Sequence, residues 1–384
     1  MNADWNYPTA IRIGDRRIGE LPAICREFGM AAPLLVTDPG LARLPLVAGR
    51  VADCEAAGLN IAVFSDIKPN PTGDNVRDGI DAFRRGAHDG VIAFGGGSGL
   101  DVGKSVAVLA GQTCPLWDLE DAGDNWRRAE AARIAPVIAV PTTAGTGSEV
   151  GRAALIVNRS EQRKVIIFHP RMLPACVILD PELTVGLPPP MTAATGMDAL
   201  SHNLEAYCSP LFHPMAEGIA VEGMRLIAGH LATAVEAPAD LDARRAMLTA
   251  STMGATAFQR GLGAMHALAH PLGALYDAHH GTLNAILMPY VLAANRAAID
   301  ARIARLARCL GLAPDFDAFL DWVLKLRARI GIPHTLSEIG IDAARADEIG
   351  GMAVTDPSAA TNPIAFDAAA YAEIAARAVR GELG

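Results

Sequence analysis

A group of histidines and one aspartate in the second half of the chain has the spacing of a metal site. The pattern is Asp198-x3-His202, His266-x3-His270 and the neighbours His279 and His280. Residues four apart on a helix share a face, so Asp198 and His202 can point at one ion while a later histidine comes from a second helix. One carboxylate with several imidazoles suits Zn²⁺ or Fe²⁺.

The spacing alone leaves three choices open. It does not show whether the metal is Zn²⁺ or Fe²⁺. It also does not show whether His266 or His270, or whether His279 or His280, is the ligand. A single histidine is more often a structural residue than a ligand, but four of the ten histidines fall between His266 and His280. We therefore base the prediction on the cluster as a whole.

A glycine run in the first half is a candidate phosphate-binding loop. Gly95-Gly96-Gly97-Ser98 directly follows an apolar run that ends at Phe94 and precedes a helical segment. Glycines there let the backbone approach a pyrophosphate, and the helix N-terminus supplies oriented N–H groups. The G-x-G-x-x-G pattern is not satisfied, and a tight structural turn explains the run equally well. A P-loop ending at Gly103-Lys104-Ser105 is disfavoured because it needs glycine where Ser98 stands.

Two further segments favour a dinucleotide. Asp38 ends an apolar run, where its carboxylate can accept hydrogen bonds from a ribose and repel a 2′-phosphate. An ordinary Asp-Pro-Gly turn is the alternative. Pro141–Glu149, with the sequence PTTAGTGSE, follows another apolar run with small hydroxyl residues and glycines. This surface suits hydrogen bonds to a sugar or an amide.

The pattern of apolar residues predicts two domains. Short β-branched runs separated by helix-length segments are typical of buried parallel strands, and we assign strands to 33–36, 60–64, 90–94, 137–140, 154–157 and 165–168. After Pro188–Pro190 the chain changes to long Ala- and Leu-rich segments, such as the helical run from Phe316 to Arg327 that Gly331 and Pro333 close. We predict an α/β dinucleotide-binding domain over 1–187 and an all-α metal-binding domain over 188–384, with a cleft at the boundary.

Composition excludes several classes of function. The net charge of −9, with no basic cluster, argues against a nucleic-acid or anionic-membrane partner. No apolar run is long enough to cross a membrane and the start of the chain lacks the pattern of a secretion signal, so we expect a cytoplasmic protein. The six cysteines form no C-x2-C pair, and we expect them to be reduced.

Taken together, the motifs resemble the iron-containing (group III) alcohol dehydrogenase family. The resemblance extends over nearly the whole chain and rests on KPNP at 68–71, GGGS at 95–98, PTTAGTGSE at 141–149, Lys164, Asp180-Pro181, TGMDALSH at 195–202, HALAHPLG at 266–273 and His280-Gly281. It implies a dehydroquinate-synthase-like, Rossmann-like first domain that binds NAD(P) and a helical second domain that holds the metal.

The resemblance also assigns individual residues. It places the metal ligands at Asp198, His202, His266 and His280, gives His279 no role, and makes His270 a candidate for proton relay. Around the dinucleotide it places Asp38, Asn70, Gly96, Gly97, Ser98, Thr142, Thr143 and Lys164. Fe²⁺ is the implied metal, with Zn²⁺ as the alternative, and Asp38 favours NAD over NADP.

The expected reaction is hydride transfer between the nicotinamide and a primary alcohol or aldehyde. Where many family members have Val-Thr after the serine–glutamate pair, this chain has Val150, Gly151 and Arg152, and an arginine there suits the carboxylate of an ω-hydroxy acid such as 4-hydroxybutyrate. A surface salt bridge or a phosphate contact is the alternative role for Arg152. A glycerol dehydrogenase or a dehydroquinate-synthase-like lyase is the alternative activity, and a homodimer or higher homo-oligomer is expected from the resemblance.

Overall fold

Two compact units make up the chain. The computed structural model describes residues 5–161 and 163–383. The first unit contains Tyr7–Thr143 and Gly147–Thr184, and the described part of the second contains residues 5–6, Ala144–Thr146 and residues 185–383. The short insertion of Ala144–Thr146 into the second unit had not been predicted.

A six-stranded parallel sheet forms the centre of the first unit. Its strands, in sheet order, are β1 (Ala10–Ile13), β8 (Cys176–Leu179), β5 (Val137–Pro141), β4 (Gly90–Gly95), β2 (Pro33–Val36) and β3 (Ala62–Phe64). Strands β2, β4, β5 and β8 are buried at every position, as expected for a parallel sheet covered on both faces. The predicted α/β domain is confirmed.

The last two predicted strands were wrongly expected in the parallel sheet. Strands β6 (Ala153–Asn158) and β7 (Arg163–Phe168) form a separate antiparallel hairpin. The segment between them is far too short for a parallel crossover, which needs a dozen residues or more. Burial alternates along both strands, which is the pattern of a sheet with one face covered.

Strands β1 and β8 were not predicted. Strand β1 is an edge strand that carries Arg12 and is only partly buried, so its sequence lacks a continuous apolar run. Strand β8 is as long and as fully buried as β2, so its apolar run offered the same signal, but it was not predicted.

Helices connect the strands of the first unit. They are α1 (Leu21–Glu27), α2 (Pro39–Ala42), α3 (Pro45–Ala56), α4 (Gly73–Arg85) and α5 (Gly97–Leu109). Helix α5 is buried from Gly99 to Leu109 and packs on β4. A Cβ atom at Gly103 would lie 2.7 Å from the Ala93 side chain, so this glycine allows the close approach of helix and strand.

The described residues of the second unit form helices joined by loops. Its helices are α6 (Pro189–Cys208), α7 (Pro214–Glu236), α8 (Leu241–Ala257), α9 (Ala264–Tyr276), α10 (His280–Cys309), α11 (Phe316–Arg329), α12 (Ala346–Ala353) and α13 (Ala368–Arg380). Helix α6 is buried from Thr192 to Cys208 and packs against α7, α8 and α10. Helix α11 confirms the helical run predicted from Phe316. Within the described residues, no helix has the length and apolar character needed to cross a membrane.

Candidate functional site

Three of the predicted ligands meet inside the helical unit. Asp198 and His202 lie one turn apart on α6, His266 lies on α9, and all three are almost completely buried. One ligand atom from each lies within 4.8 Å of the corresponding atoms of the other two. The rings of His202 and His266 are stacked, with centroids 4.8 Å apart and planes at 22°.

His202 is held in its neutral form by burial and by a backbone carbonyl group. Its Nδ1 lies 3.2 Å from the carbonyl oxygen of Gly145, to which it donates, and this leaves the Nε2 lone pair available. Burial lowers the pKa of His202 to about 4, although Asp198 opposes this shift. A Cβ atom at Gly145 would lie 2.8 Å from the Thr195 side chain, so glycine is needed to bring this carbonyl group against α6.

His266 is held in a different way, by a carboxylate. Its Nδ1 lies 2.6 Å from Glu205 Oε2, and Glu205 Oε1 accepts a 2.7 Å hydrogen bond from the backbone N–H of Met265. Burial disfavours the charged form of His266, but the charge and hydrogen bond of Glu205 outweigh this effect and raise its pKa. A Cβ atom at Gly263 would lie 2.9 Å from Glu205 Oε1, so a larger residue before α9 would displace this carboxylate.

His280 completes the cluster from the first residue of α10. Its Nε2 lies 3.7 Å from Asp198 Oδ1. One turn later, the amide nitrogen of Asn284 lies 2.9 Å from Asp198 Oδ1 and 3.2 Å from Nε2 of both His266 and His280. A carboxylate oxygen and two imidazole nitrogens thus converge on one hydrogen-bond donor. A convergent set of acceptor atoms of these types fits a divalent transition-metal ion.

The remaining two histidines of the cluster have different surroundings. His270 lies beside the proposed ligands, stacked on His280 with ring centroids 5.5 Å apart, and its Nδ1 lies 2.7 Å from Asp356 Oδ2. Burial favours the neutral form of Asp356, but the hydrogen bond and charge of His270 lower the pKa of Asp356 below its usual value. His279 is exposed, and its Nδ1 accepts from the backbone N–H of Thr282 as the N-cap of α10.

The predicted dinucleotide residues lie in the first unit, mostly at one edge of the parallel sheet. Three neighbouring strands, β2, β4 and β5, lead into the segments that carry Asp38, Gly96–Ser98 and Thr142–Thr143. Because the carboxyl ends of parallel strands meet at one edge, the sheet brings these three segments together. Asp38 Oδ1 caps α2 by accepting from Gly40 and Leu41, which holds the carboxylate in place.

Asn70 and Lys164 do not belong to the three segments that follow β2, β4 and β5 at the edge of the sheet. Asn70 stands in the loop before α4, and Lys164 lies on β7 of the hairpin, paired with Val157. The backbone N–H of Val157 donates to the carbonyl oxygen of Pro71, which ties the hairpin to the loop that carries Asn70.

Arg152 precedes β6 on the same hairpin. Its guanidinium lies 5.6 Å from the ring centroid of Phe168, in a cation–π arrangement. Burial raises the pKa of the nearby Asp121, and the positive charge of Arg152 opposes this shift. The carboxylates of the described residues do not pair with Arg152 at ion-pair distance. Among the described residues, the structure therefore does not support a surface salt bridge as the role of Arg152.

Lys104, the lysine of the rejected P-loop pattern, is a buried structural cation. Its ammonium donates to the carbonyl oxygens of Ser148 and Ala153 and lies 3.4 Å from Asp101 Oδ1. Asp101 also accepts from the Ser148 hydroxyl group and from the backbone N–H of Leu155. Burial lowers the pKa of Lys104 below its usual value, against the charge of Asp101.

Several of these residues were missed from the sequence. Glu205 follows His202 by three residues and Asn284 follows His280 by four, so helical spacing offered a signal for both. Asp356 reaches His270 from a distant part of the chain and had no local signal.

Comparison with known proteins agrees with this geometry. The model of the iron-containing alcohol dehydrogenase family matches residues 8–181, and that of the C-terminal domain of the Fe-containing family matches residues 192–379. The chain belongs to the iron-containing alcohol dehydrogenase family. It is therefore an enzyme, an iron-dependent and NAD-linked alcohol dehydrogenase, as predicted from the motifs.

Individual relatives match over almost their whole length. The 4-hydroxybutyrate dehydrogenase of Cupriavidus necator is 41% identical over 95% of this chain and 97% of its own. The crystal structure of a 1,3-propanediol oxidoreductase superposes with a TM-score of 0.92 at 35% identity, covering 98% of this chain and 99% of its own. A sulfoacetaldehyde reductase from Bifidobacterium kashiwanohense, solved with NAD⁺, has a TM-score of 0.90 at 28% identity and covers 98% and 99%.

Proposed function

We propose that this dehydrogenase interconverts 4-hydroxybutyrate and succinic semialdehyde, using NAD and a ferrous ion held by Asp198, His202, His266 and His280. The observation that carries the proposal is the convergence of Asp198, His202 and His266 within 4.8 Å in the buried centre of the helical unit. Zn²⁺ suits the same donor set and is the alternative metal.

The protein groups around the ion have separate tasks. A bound divalent ion supplies Lewis acidity towards the substrate oxygen. His270 is proposed to exchange the alcohol proton at its Nε2, because Asp356 holds its Nδ1 and orients the ring. Glu205 and Gly145 hold the Nδ1 atoms of His266 and His202, which directs the Nε2 atoms inward.

The dinucleotide is assigned to the edge of the parallel sheet. The proposed contacts are Asp38, Asn70, Gly96, Gly97, Ser98, Thr142, Thr143 and Lys164. The N-terminus of α5, which begins at Gly97, is suited to a pyrophosphate, and its backbone N–H groups carry partial positive charge. The fixed carboxylate of Asp38 would repel a 2′-phosphate, which favours NAD.

The substrate assignment depends on two relatives and one residue. Two of the relatives, a 4-hydroxybutyrate dehydrogenase and a sulfoacetaldehyde reductase, are named for small substrates with an anionic group. Arg152 supplies a cation, supported by Phe168, that is suited to the carboxylate of such a substrate.

Three broader predictions belong to the same proposal. The NAD-binding domain is assigned to 1–187 and the metal-binding domain to 188–384, in a cytoplasmic homo-oligomer, with a dimer as the smallest form. Sedimentation of the purified enzyme tests the oligomeric state.

The first experiment compares two aldehydes. Anaerobic protein reconstituted with Fe²⁺ is mixed with NADH and with butanal or succinic semialdehyde at matched concentrations. We expect the semialdehyde to be reduced faster, and Arg152→Ala to lose that preference while reducing butanal at the rate of the wild type. Equal rates with both aldehydes would reject the anionic substrate, and an unchanged preference in the variant would reject Arg152 as the clamp. Inactivity with both would favour the lyase.

A further inference from the structure

Glu205 is buried among the helices of the second unit with both of its oxygens engaged. Oε2 lies 2.6 Å from His266 Nδ1, and Oε1 lies 2.7 Å from the backbone N–H of Met265. The residue is 4% exposed. Among the described residues, His266 is the only ion-pair partner that the structure gives it. Burying a carboxylate without a lysine or arginine partner is costly, so its charge needs an explanation.

Capping of α9 does not explain the charge. The neighbouring backbone N–H, that of Ala264, is capped by Asn362 Oδ1 at 3.0 Å, and that amide side chain is neutral. Two adjacent N–H groups at one helix end are thus satisfied by a neutral group and a charged group. What distinguishes Glu205 is its second oxygen, which reaches the imidazole of His266.

We infer that Glu205 is a positioning residue of the metal centre, which holds His266 as an Nε2 donor and increases its affinity for the ion. This inference rests on the proposed metal site. A carboxylate that accepts from Nδ1 fixes the tautomer and the ring orientation, and it makes the other nitrogen a stronger donor. His202 lacks this support, because its Nδ1 donates to the neutral carbonyl group of Gly145.

The substitution Glu205→Gln tests the inference, because glutamine has nearly the same shape but no charge. Its amide oxygen can take the place of only one of the two carboxylate oxygens, so either Met265 N–H or His266 Nδ1–H faces an NH₂ group instead of an acceptor. Asp356→Asn is the matched control, since it neutralises the carboxylate of the other carboxylate–histidine pair, whose histidine is not a proposed ligand.

The measurement is the affinity of metal-free protein for Zn²⁺, by competition with a chromophoric chelator, together with the unfolding temperature of the metal-free form. We expect Glu205→Gln to weaken the binding of Zn²⁺ by roughly 10–100-fold with little change in unfolding temperature, and Asp356→Asn to leave the affinity close to that of the wild type. Wild-type affinity in Glu205→Gln, or an equal loss in Asp356→Asn, would overturn the inference.

Two further measurements make the outcome decisive. If Glu205→Gln does not fold, ¹⁵N-histidine spectra of zinc-loaded wild type decide the question: a protonated Nδ1 on His266 supports the inference, and zinc bound through Nδ1 overturns it. The failure of the proposed function looks different. In that case the wild type itself binds no Zn²⁺, or His266→Ala binds it as tightly as the wild type.

Discussion

At the scale of single residues, the stacked imidazoles of His202 and His266 have hydrogen-bond partners of different charge. His202 lies against a backbone carbonyl group, and burial lowers its pKa to about 4, which favours the neutral form. His266 lies against Glu205, which raises its pKa. His202 can thus bind a cation without losing a proton. His266 is accompanied by the Glu205 carboxylate, which offsets part of the charge of the ion.

The first prediction concerns the proposed ligands. We expect Asp198→Ala and His266→Ala to lose the metal and to lower turnover by at least about a thousandfold, because Lewis acidity of the ion is worth several kcal/mol. NADH binding, followed by fluorescence titration, should survive because the proposed dinucleotide residues lie in the other unit. His279→Ala is the control and should retain both the metal and activity. Loss of NADH binding together with turnover would contradict the two-site proposal.

The second prediction concerns Asp38 and the choice of cofactor. We expect Asp38→Asn to raise the ratio of activity with NADP to activity with NAD by about tenfold, because it removes one negative charge near the 2′-position. Asparagine can still cap α2, so the backbone that the aspartate holds should stay in place. The ratio is measured from kcat/KM with each cofactor. An unchanged ratio would show that Asp38 does not determine the preference for NAD over NADP.

The residues with distinctive chemistry could be predicted from the sequence. Histidines are rare in this chain, so their helical spacing was visible. Glu205 and Asn284 have the same spacing, but glutamate and asparagine also occur on exposed helix faces, and the sequence does not show which face is buried. Asp356 is brought to His270 by the fold of the distant C-terminal segment, which no local pattern encodes.

At the scale of elements, the buried pair Lys104–Asp101 fastens the segment after β5 to α5. The lysine binds the carbonyl oxygens of Ser148 and Ala153, and the aspartate binds the Ser148 hydroxyl group. Each charge is satisfied by several partners, as buried charges must be. The segment from Ser148 to Ala153 is therefore held by contacts inside the first unit before any dinucleotide arrives.

We therefore expect Lys104→Met to destabilise the protein by about 3–5 kcal/mol, because it leaves the Asp101 carboxylate buried without its cation. It should also raise the KM for NAD, since the 148–153 segment loses its anchor, while metal content stays unchanged. Urea unfolding and NADH titration measure the two effects. Lys325→Met, at an exposed lysine, is the control and should cost less than about 1 kcal/mol. Equal costs for both substitutions would contradict the structural role of Lys104.

The elements themselves were predictable where apolar runs were continuous. Strands β2, β4 and β5 were found because each is buried along its whole length. The apolar composition of β6 and β7 resembles that of buried parallel strands, so these strands were predicted in the wrong sheet. The short connection between them was evidence against a parallel pair. Strand β1, at the sheet edge, offers a weaker apolar pattern.

At the scale of the whole molecule, the proposed centre draws on helices that are far apart in sequence. Asp198 and His202 belong to α6, His266 to α9 and His280 to α10. The folded helical unit brings these groups together, whereas an unfolded chain would not hold them in one place. A metal that binds there stabilises the folded state in proportion to the logarithm of its concentration over Kd.

Removal of the metal should accordingly lower the unfolding temperature. At a metal concentration of roughly 100 times Kd the stabilisation is about 2.7 kcal/mol, which corresponds to a decrease of roughly 5–10 °C on chelation. Calorimetry of the loaded, chelated and reloaded protein measures the change, with metal content determined in each sample. Asp198→Ala supplies the control, since its unfolding temperature should not respond to the chelator. If the wild type loses its metal without any change in unfolding temperature, the ion does not link these helices, and a site at the protein surface becomes the better explanation.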